Sequence, residues 1–436
     1  MSKHVIVISV DAMVFEDLEY ASTLPSFARL IGSGSVIERV RSIYPTLTHP
    51  AHASIISGAP AGKTGITSNY IFHPDDPKRS VEWRNRLDEI GCDTLLHAAK
   101  RAGLVTASSC WPMTAGGGEV IDYLVPAGLN FYFKDRDHEP MEVFRELGAT
   151  PSVMDILAEG IEKYGHRDLH PGVDELQAFV SAEIIRRYKP NLLLTHPSYV
   201  DNQRHATGVF SDKVEQAIAE TDRWIGMLLD AIRDAGIEEE TDVIVLSDHG
   251  QIDISRIISP NFYLKEAGYI RVDEEGCITS YDAYVKSTGA SAQVHFSHGA
   301  TAESRAGVEG LLREMAATGS YGFERVFGKE ELIERYGLFG DFDLVLETDG
   351  ISSFGEHTEA PAERGFDILD YRYGRGTHGY MPERGAQPTF IACGPDFKAG
   401  VRIPEGSILN HAPTIARALG VRLRDAEGQA VEEIFR

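Results

Sequence analysis

The 436-residue chain has few cysteines, few tryptophans, no long hydrophobic run and far fewer basic than acidic side chains. Each shortage excludes something. No stretch approaches the ~20 consecutive apolar residues of a membrane span, so no membrane partner is expected. The four cysteines (Cys92, Cys110, Cys277, Cys393) are scattered and form no CxxC pair. That pattern fits neither a thiolate metal knot nor a disulfide framework, and it suits free thiols in a reducing compartment. The N-terminal apolar stretch, 5–10, is shorter than the ~7–15-residue core of a signal peptide and runs into an aspartate, so the expected location is cytoplasmic. With 42 Lys and Arg against 66 Asp and Glu, the formal charge is −24. A nucleic-acid polymer is therefore not expected as a partner, because phosphate contacts need lysine and arginine. An acidic protein that handles a small anionic phosphate needs a local positive centre, which bound metal can supply.

What is present is a set of short apolar, β-branched runs alternating with helical patterns. The runs are 5–10, 191–195, 242–246 and 388–393, and their continuity suits parallel strands buried on both faces. Residues 211–235 predict a long helix, with Val214, Ile218, Ile225, Leu228, Leu229 and Ile232 at helical spacing and Gly236 placed to end it. Alternating strand and helix predicts an α/β fold with a mostly parallel central sheet flanked by helices. Residues 266–349 differ. A strand over 291–296 that alternates as if half exposed, helices over 303–317 and 329–336, and a strand over 342–347 predict a small α+β subdomain inserted into a main domain of 1–265 and 350–436. Segments 70–93 and 116–137, rich in Asp, Pro, Arg or Gly, predict long loops, which in compact domains are more often functional than idle.

The chemistry-bearing residues sit where the buried strands end. The first run ends on Asp11, the 191–195 run leads to Asp201 and His205, and the 242–246 run leads to Asp248 and His249. In open parallel sheets, sites form beyond the carboxyl ends of strands. Asp201 and His205 are four apart, so one helical turn puts both on one face. His378, in the loop GTHGY, could complete the set. An aspartate after a strand is more often a cap or turn residue, yet several carboxylate and imidazole groups delivered to one edge form a ligand set of the kind zinc accepts.

A second constellation is Tyr44-Pro45-Thr46-Leu47-Thr48-His49-Pro50-Ala51-His52. A helix is predicted over 51–57, and a hydroxyl at its head faces the positive end of the helix dipole, which favours an alkoxide and an incoming phosphate. The residues alone leave Thr48 open between nucleophile and simple N-cap. Gly58-Ala59-Pro60-Ala61-Gly62-Lys63-Thr64 imitates a phosphate-binding P-loop, but it has three residues between its glycines where that loop has four, and it predicts a turn.

At these residues the sequence resembles the nucleotide pyrophosphatase/phosphodiesterase (type I phosphodiesterase) family of the alkaline phosphatase superfamily. The motifs occur in family order: VISVDA at Asp11, YPTLTHPAH at Thr48, GITSN ending at Asn69, Trp111-Pro112, YVDNQRH at Asp201 and His205, SDHG at Asp248 and His249, and GTHGY at His378. HAPTIARALG resembles the superfamily's final helix. The resemblance covers nearly the whole chain and implies an alkaline-phosphatase-like α/β fold. It also implies two zinc ions, with manganese an acceptable substitute. By resemblance, Asp201, His205 and His378 hold one ion, and Asp11, Asp248 and His249 hold the other together with Thr48. Asn69 then donates to a phosphate oxygen, and hydrolysis of a small phosphate ester runs through a phospho-threonine on Thr48. His52 lies outside that ligand set, so it is expected either to pack in the core or to support the ligands from behind.

The sequence departs from the family pattern twice. His49 stands where the family has a phenylalanine expected to stack on a nucleobase, and Arg204 stands where it often has glycine. Tyr70, Phe72, Trp83 or the Phe131-Tyr132-Phe133 triplet could compensate for the missing ring. The alternative reading keeps the site but changes the reaction to phosphomonoester or phosphonate hydrolysis. That would need an added cation, for which Lys134, Arg136 and Arg204 are the candidates.

Overall fold

The computed structural model describes residues 4–77, 82–127, 139–164 and 169–436. Its centre is an eight-stranded sheet in the order Arg402–Ser407, Ser35–Arg41, Phe390–Cys393, Thr241–Leu246, His4–Ser9, Leu192–Thr195, Thr106–Ser109, Tyr123–Val125. The three inner apolar strands are in register, Val5 opposite Leu192 on one side and Asp242 on the other. Side chains alternate between two cores. Val5, Val7, Leu192, Leu194, Ile244 and Leu246 face one, and Ile6, Ile8, Leu193, Val243 and Val245 face the other. Helices Thr48–Ser57, Leu95–Arg101 and His411–Leu419 cover the first face; Pro25–Ser33, Gly172–Tyr188 and Asp212–Asp234 cover the second. Burial on both faces is the reason these strands read as unbroken apolar runs.

The long helix starts and stops where its sequence says. Ser211 is its N-cap, accepting from Val214 N, and Gly236 follows with φ +70°. Three expectations are corrected. The 388–393 run forms the strand Phe390–Cys393, but it is antiparallel to both neighbours. Burial on both faces gives it the same pattern as a parallel strand, so the run carries no information on direction. The expected loop 116–137 contains the strand Tyr123–Val125, paired in parallel to Thr106–Ser109. Part of that segment, including Phe131, Tyr132, Phe133, Lys134 and Arg136, lies outside the described residues. The strand expected to be half exposed, Ser291–Phe296, is buried over most of its length.

That last strand belongs to a second, four-stranded antiparallel sheet, ordered Ala283–Ser287, Ser291–Phe296, Leu344–Thr348, Phe323–Gly328. Helix Ala302–Thr318 packs on it through Val308, Leu312 and Met315, giving a third core. The turn joining its first two strands docks against the loop of His378: Ala290 N donates to His378 O at 2.8 Å. Contact is so close that a Cβ on Gly289 would overlap the carbonyl of His378, and one on Gly379 would overlap that of Thr288. Among the described residues no helix is long and apolar enough to cross a membrane.

Candidate active site

The parallel strands His4–Ser9, Leu192–Thr195 and Thr241–Leu246 end at one edge of the sheet, and the antiparallel strand beginning at Phe390 starts there. Its reversed direction brings the preceding loop, with His378, to the edge where the other three deliver their residues. Asp11, Asp248 and His249 come directly after their strands and are buried. The backbone is unusual here: Ala12 has φ +56°, a left-handed conformation uncommon without glycine, and its N–H donates to Asp248 Oδ1 at 3.2 Å. Asp201 and His205 lie on helix Tyr199–Thr207, with His205 Nε2 3.4 Å from Asp201 Oδ2.

All the acidic and histidine residues expected from the sequence converge. Ligand atoms of Asp201, His205 and His378 lie within 4.8 Å of one another, and so do those of Asp11, Asp201 and His249. Asp201 therefore stands between the two groups. His249 Nε2 is 3.2 Å from Asp248 Oδ2 and 3.5 Å from Asp11 Oδ1.

Backbone carbonyls behind two of the histidines fix which ring nitrogens face the carboxylates. His205 Nδ1 lies 2.8 Å from Gly376 O, and His378 Nδ1 lies 3.2 Å from Thr46 O. A carbonyl only accepts, so in each neutral ring Nδ1 carries the proton and Nε2 is a lone pair. Those lone pairs face Asp201, His205 at 3.4 Å and His378 at 3.9 Å. Acceptors facing acceptors repel unless a cation lies between them, and backbone carbonyls behind histidine ligands are the usual orienting device in metal sites. Asp11 Oδ1 and Asp248 Oδ2 are buried with no hydrogen-bond partner among the described residues. The donor set therefore fits divalent ions.

The electrostatics agree. Burial, then the charges of Asp201 and Asp248, hold Asp11 well above the ordinary carboxylate range. Burial pushes Asp248 up to about 6 and His249 down to about 4. Burial would also raise Asp201, but positive charge among His205, His378 and His249, which either a proton or a metal ion would supply, pulls it far below its usual value. Arg204 does not serve this site as a cation. It is fully buried, donates to Ala12 O at 3.0 Å and to Val209 O, and pairs with Asp17.

Thr48 is the first residue of helix Thr48–Ser57, whose N-cap is Leu47. The N-cap alternative is thereby removed. Its Oγ1 lies 3.1 Å from His249 Nε2, on the Asp11–Asp248–His249 side. Asn69 Oδ1 accepts from His49 N at 3.0 Å, which leaves the amide nitrogen as the group available to donate. His49 points into the protein, its ring 4.9 Å from that of Trp83, and burial pushes it down to about 3, so it is neutral. Tyr70 packs on the same Trp83 at 4.7 Å, whereas Phe72 stacks on His295 at 3.8 Å, away from the site. His52 bridges Thr48 O (2.7 Å) and Ser9 Oγ (2.9 Å) through its two nitrogens, and its Nδ1 lies 3.5 Å from Asp248 Oδ2.

Sequence reasoning missed His196. Its Nε2 is 3.3 Å from Asp11 Oδ2 and its Nδ1 3.1 Å from Ser9 O. The signal was there, since His196 comes directly after a buried strand. It also missed Lys286, Glu356 and Arg372, which line a cleft beside His205 and His378. No motif marks them, because they come from the second sheet and from a later loop.

A model of the family described as type I phosphodiesterase / nucleotide pyrophosphatase matches residues 5–381. Ectonucleotide pyrophosphatase/phosphodiesterase family member 1 of Mus musculus is 25% identical over 264 residues, covering 58% of this chain and 24% of that protein. An uncharacterised pyrophosphatase/phosphodiesterase of Schizosaccharomyces pombe is 26% identical over 258 residues, covering 56% of this chain and 44% of that one. The matched stretch thus spans less than half the length of these relatives. Among solved structures, murine ectonucleotide pyrophosphatase/phosphodiesterase 5 superposes with a TM-score of 0.68 at 19% identity, over 99% of this chain and 100% of that one. The same murine protein, as an inactive variant in complex with AMP, also matches with a TM-score of 0.68, at 19% identity over 100% of both chains.

Proposed function

The chain belongs to the type I phosphodiesterase / nucleotide pyrophosphatase family, and from that premise we propose that it hydrolyses small phosphate diesters through Thr48 with two bound zinc ions. The observation that carries this reading is the position of Thr48 Oγ1, at the head of a helix and 3.1 Å from His249 Nε2, with a second acid–imidazole group within reach across Asp201. Asp11, Asp248 and His249 would hold one ion, and Asp201, His205 and His378 the other. Bound there, the ions supply positive charge that acidifies the threonine hydroxyl and offsets charge on the departing oxygen.

The chain's own residues do the rest. The N-terminal end of helix Thr48–Ser57 favours anionic oxygen at its first residue. Asn69, oriented by the His49 N–H, donates its amide to a non-bridging phosphate oxygen. Deprotonated Thr48 attacks phosphorus, and the bond to the leaving oxygen breaks on the opposite side, toward His205 and His378. Water then attacks the phospho-threonine, releasing the phosphate product and restoring Thr48. Of the cations that the monoester and phosphonate alternative would need, Arg204 spends its guanidinium on Asp17 and two carbonyls, and Lys134 and Arg136 lie outside the described residues.

The test is a panel of nitrophenyl phosphate diesters, monoesters and phosphonates, with metal content measured on the same sample. Expected are about two transition-metal ions per chain, turnover greatest on diesters, and loss of activity to a chelator. Thr48→Ala should lose about a thousandfold or more in kcat while keeping most of its metal, and Thr48→Ser should recover part. A metal-free active protein, or Thr48→Ala turning over diesters at the wild-type rate, would overturn the reading.

A further inference from the structure

The cleft beside the candidate metal groups has about 510 Å3 of empty space, part of it open to solvent. His205 and His378 form one part of its lining; Lys286, Glu356, Arg372 and Tyr373 contribute to the rest. Attack by Thr48 comes from the His249 side, so the leaving group departs toward His205 and His378, and the cleft receives it.

Two cations line this space, and they differ. Lys286 is buried and donates to both oxygens of Glu356, at 2.9 and 3.1 Å. Glu356 also accepts from Ser287 N and the Tyr284 hydroxyl, both at 3.1 Å. This pair builds the wall. Arg372 grips Asp370 through Nε and Nη2, and Asp370 Oδ1 also accepts the Arg372 backbone N–H at 3.1 Å. The guanidinium is thus held in place with its fork closed on Asp370, and among the described residues its Nη1 has no hydrogen-bond partner. The segment carrying it is fastened to His205, because Arg375 N donates to His205 O at 2.6 Å and His205 Nδ1 meets Gly376 O. The neighbouring Tyr373 is pushed up to about 12 by burial and so keeps its hydroxyl proton as a donor.

Resting on the function proposed above, we propose that Arg372 and Tyr373 form a subsite for an anionic group carried by the departing half of the substrate, a carboxylate or a second phosphate. An anionic group meets both the charge and the outward N–H of a guanidinium held in place, whereas a neutral alcohol meets only the N–H. Arg372 is a specificity-determining residue, and the cleft distinguishes leaving groups by charge.

The test compares methyl 4-nitrophenyl phosphate with methyl 3-carboxy-4-nitrophenyl phosphate on the metal-loaded protein. In each, the bond from Thr48 oxygen to phosphorus forms as the aryl oxygen leaves with its electron pair, as the nitrophenolate. Wild type should prefer the carboxylated ester by about tenfold or more in kcat/KM, and Arg372→Ala should bring the ratio to within about twofold of one. Arg372→Lys should keep part of the preference, because it restores charge without the fork. A wild-type ratio near one, or an Arg372→Ala ratio equal to wild type, overturns the subsite. Calorimetry with the carboxylated leaving group, 5-hydroxy-2-nitrobenzoate, reads the cleft without turnover. Binding about tenfold weaker in Arg372→Ala supports the subsite even if neither ester is cleaved, an outcome that would defeat only the function above. Equal binding overturns the subsite.

Discussion

Arg204 illustrates how a residue's position can reverse its reading. In sequence it stands beside a candidate ligand, as a cation for substrate. In the structure it is a buried strut from helix Tyr199–Thr207, which carries Asp201 and His205, to the segment just after Asp11. It thereby ties together the two halves of the candidate metal site. Removing one partner of a buried pair leaves the other charge uncompensated, so Arg204→Ala should cost about 3–5 kcal/mol. Urea unfolding of wild type, Arg204→Ala and Asp17→Asn would check it; a loss below about 1 kcal/mol in Arg204→Ala would mean the pair is screened despite its burial. Nothing in the sequence marked this role, because the Asp17 partner is distant in the chain and carries no motif.

At the scale of elements, legibility came from continuous pattern. The inner strands were readable because both faces are apolar, and helix Asp212–Asp234 because its stripe, cap and terminal glycine agree. Strand Thr106–Ser109 (TASS) was not, since its buried residues are small and all but Ala107 are polar. Strand Ser35–Arg41 interrupts its apolar residues with Glu38, Arg39 and Arg41. The turn that presses the second sheet against the His378 loop depends on a pair of glycines at close approach, which only packing reveals. Gly379 has φ +97°, so Gly379→Ala adds both backbone strain and overlap with Thr288 O. It should weaken metal binding, with about one metal equivalent lost on dialysis. Gly319 (φ +68°) has open space around its would-be Cβ. Gly319→Ala is therefore a control that carries the strain alone and should keep its metal. Equal metal content in the two variants would show that the contact does not position His378.

Across the whole molecule, Glu347 joins the second sheet to the loops of Tyr44 and Met381. It lies on strand Leu344–Thr348, fully buried, and accepts from the Tyr44 hydroxyl at 2.9 Å and from Met381 N at 3.1 Å. Burial raises its pKa to about 8 even though Met381 N, Tyr44 and Arg384 pull the other way. A carboxyl raised on folding binds its proton more tightly when folded. Its contribution to stability is therefore complete below the unfolded value, near 4.5, and is lost as pH rises through about 8. Glu347→Gln removes that titration. The difference in unfolding free energy, wild type minus variant, should fall between pH 5 and 8 with a slope of up to about 1.4 kcal/mol per unit. A flat difference in urea titrations across that range would show that the carboxylate is stabilised by its donors and Arg384.

The α/β class and the acid and imidazole groups that follow the buried strands are legible in the chain, because each is written in residues near one another: a strand and the residues just beyond its end, or two side chains one helical turn apart. Folding set what depends on residues far apart in the chain, the approach of Thr48 to His249 among them. It set the reversed direction of Phe390–Cys393, which brings His378 to the shared edge. It turned His49 inward onto Trp83 and consumed Arg204. It also assembled the cleft, whose walls come from segments separated by more than two hundred residues between Tyr70 and Lys286, contacts that no local pattern encodes.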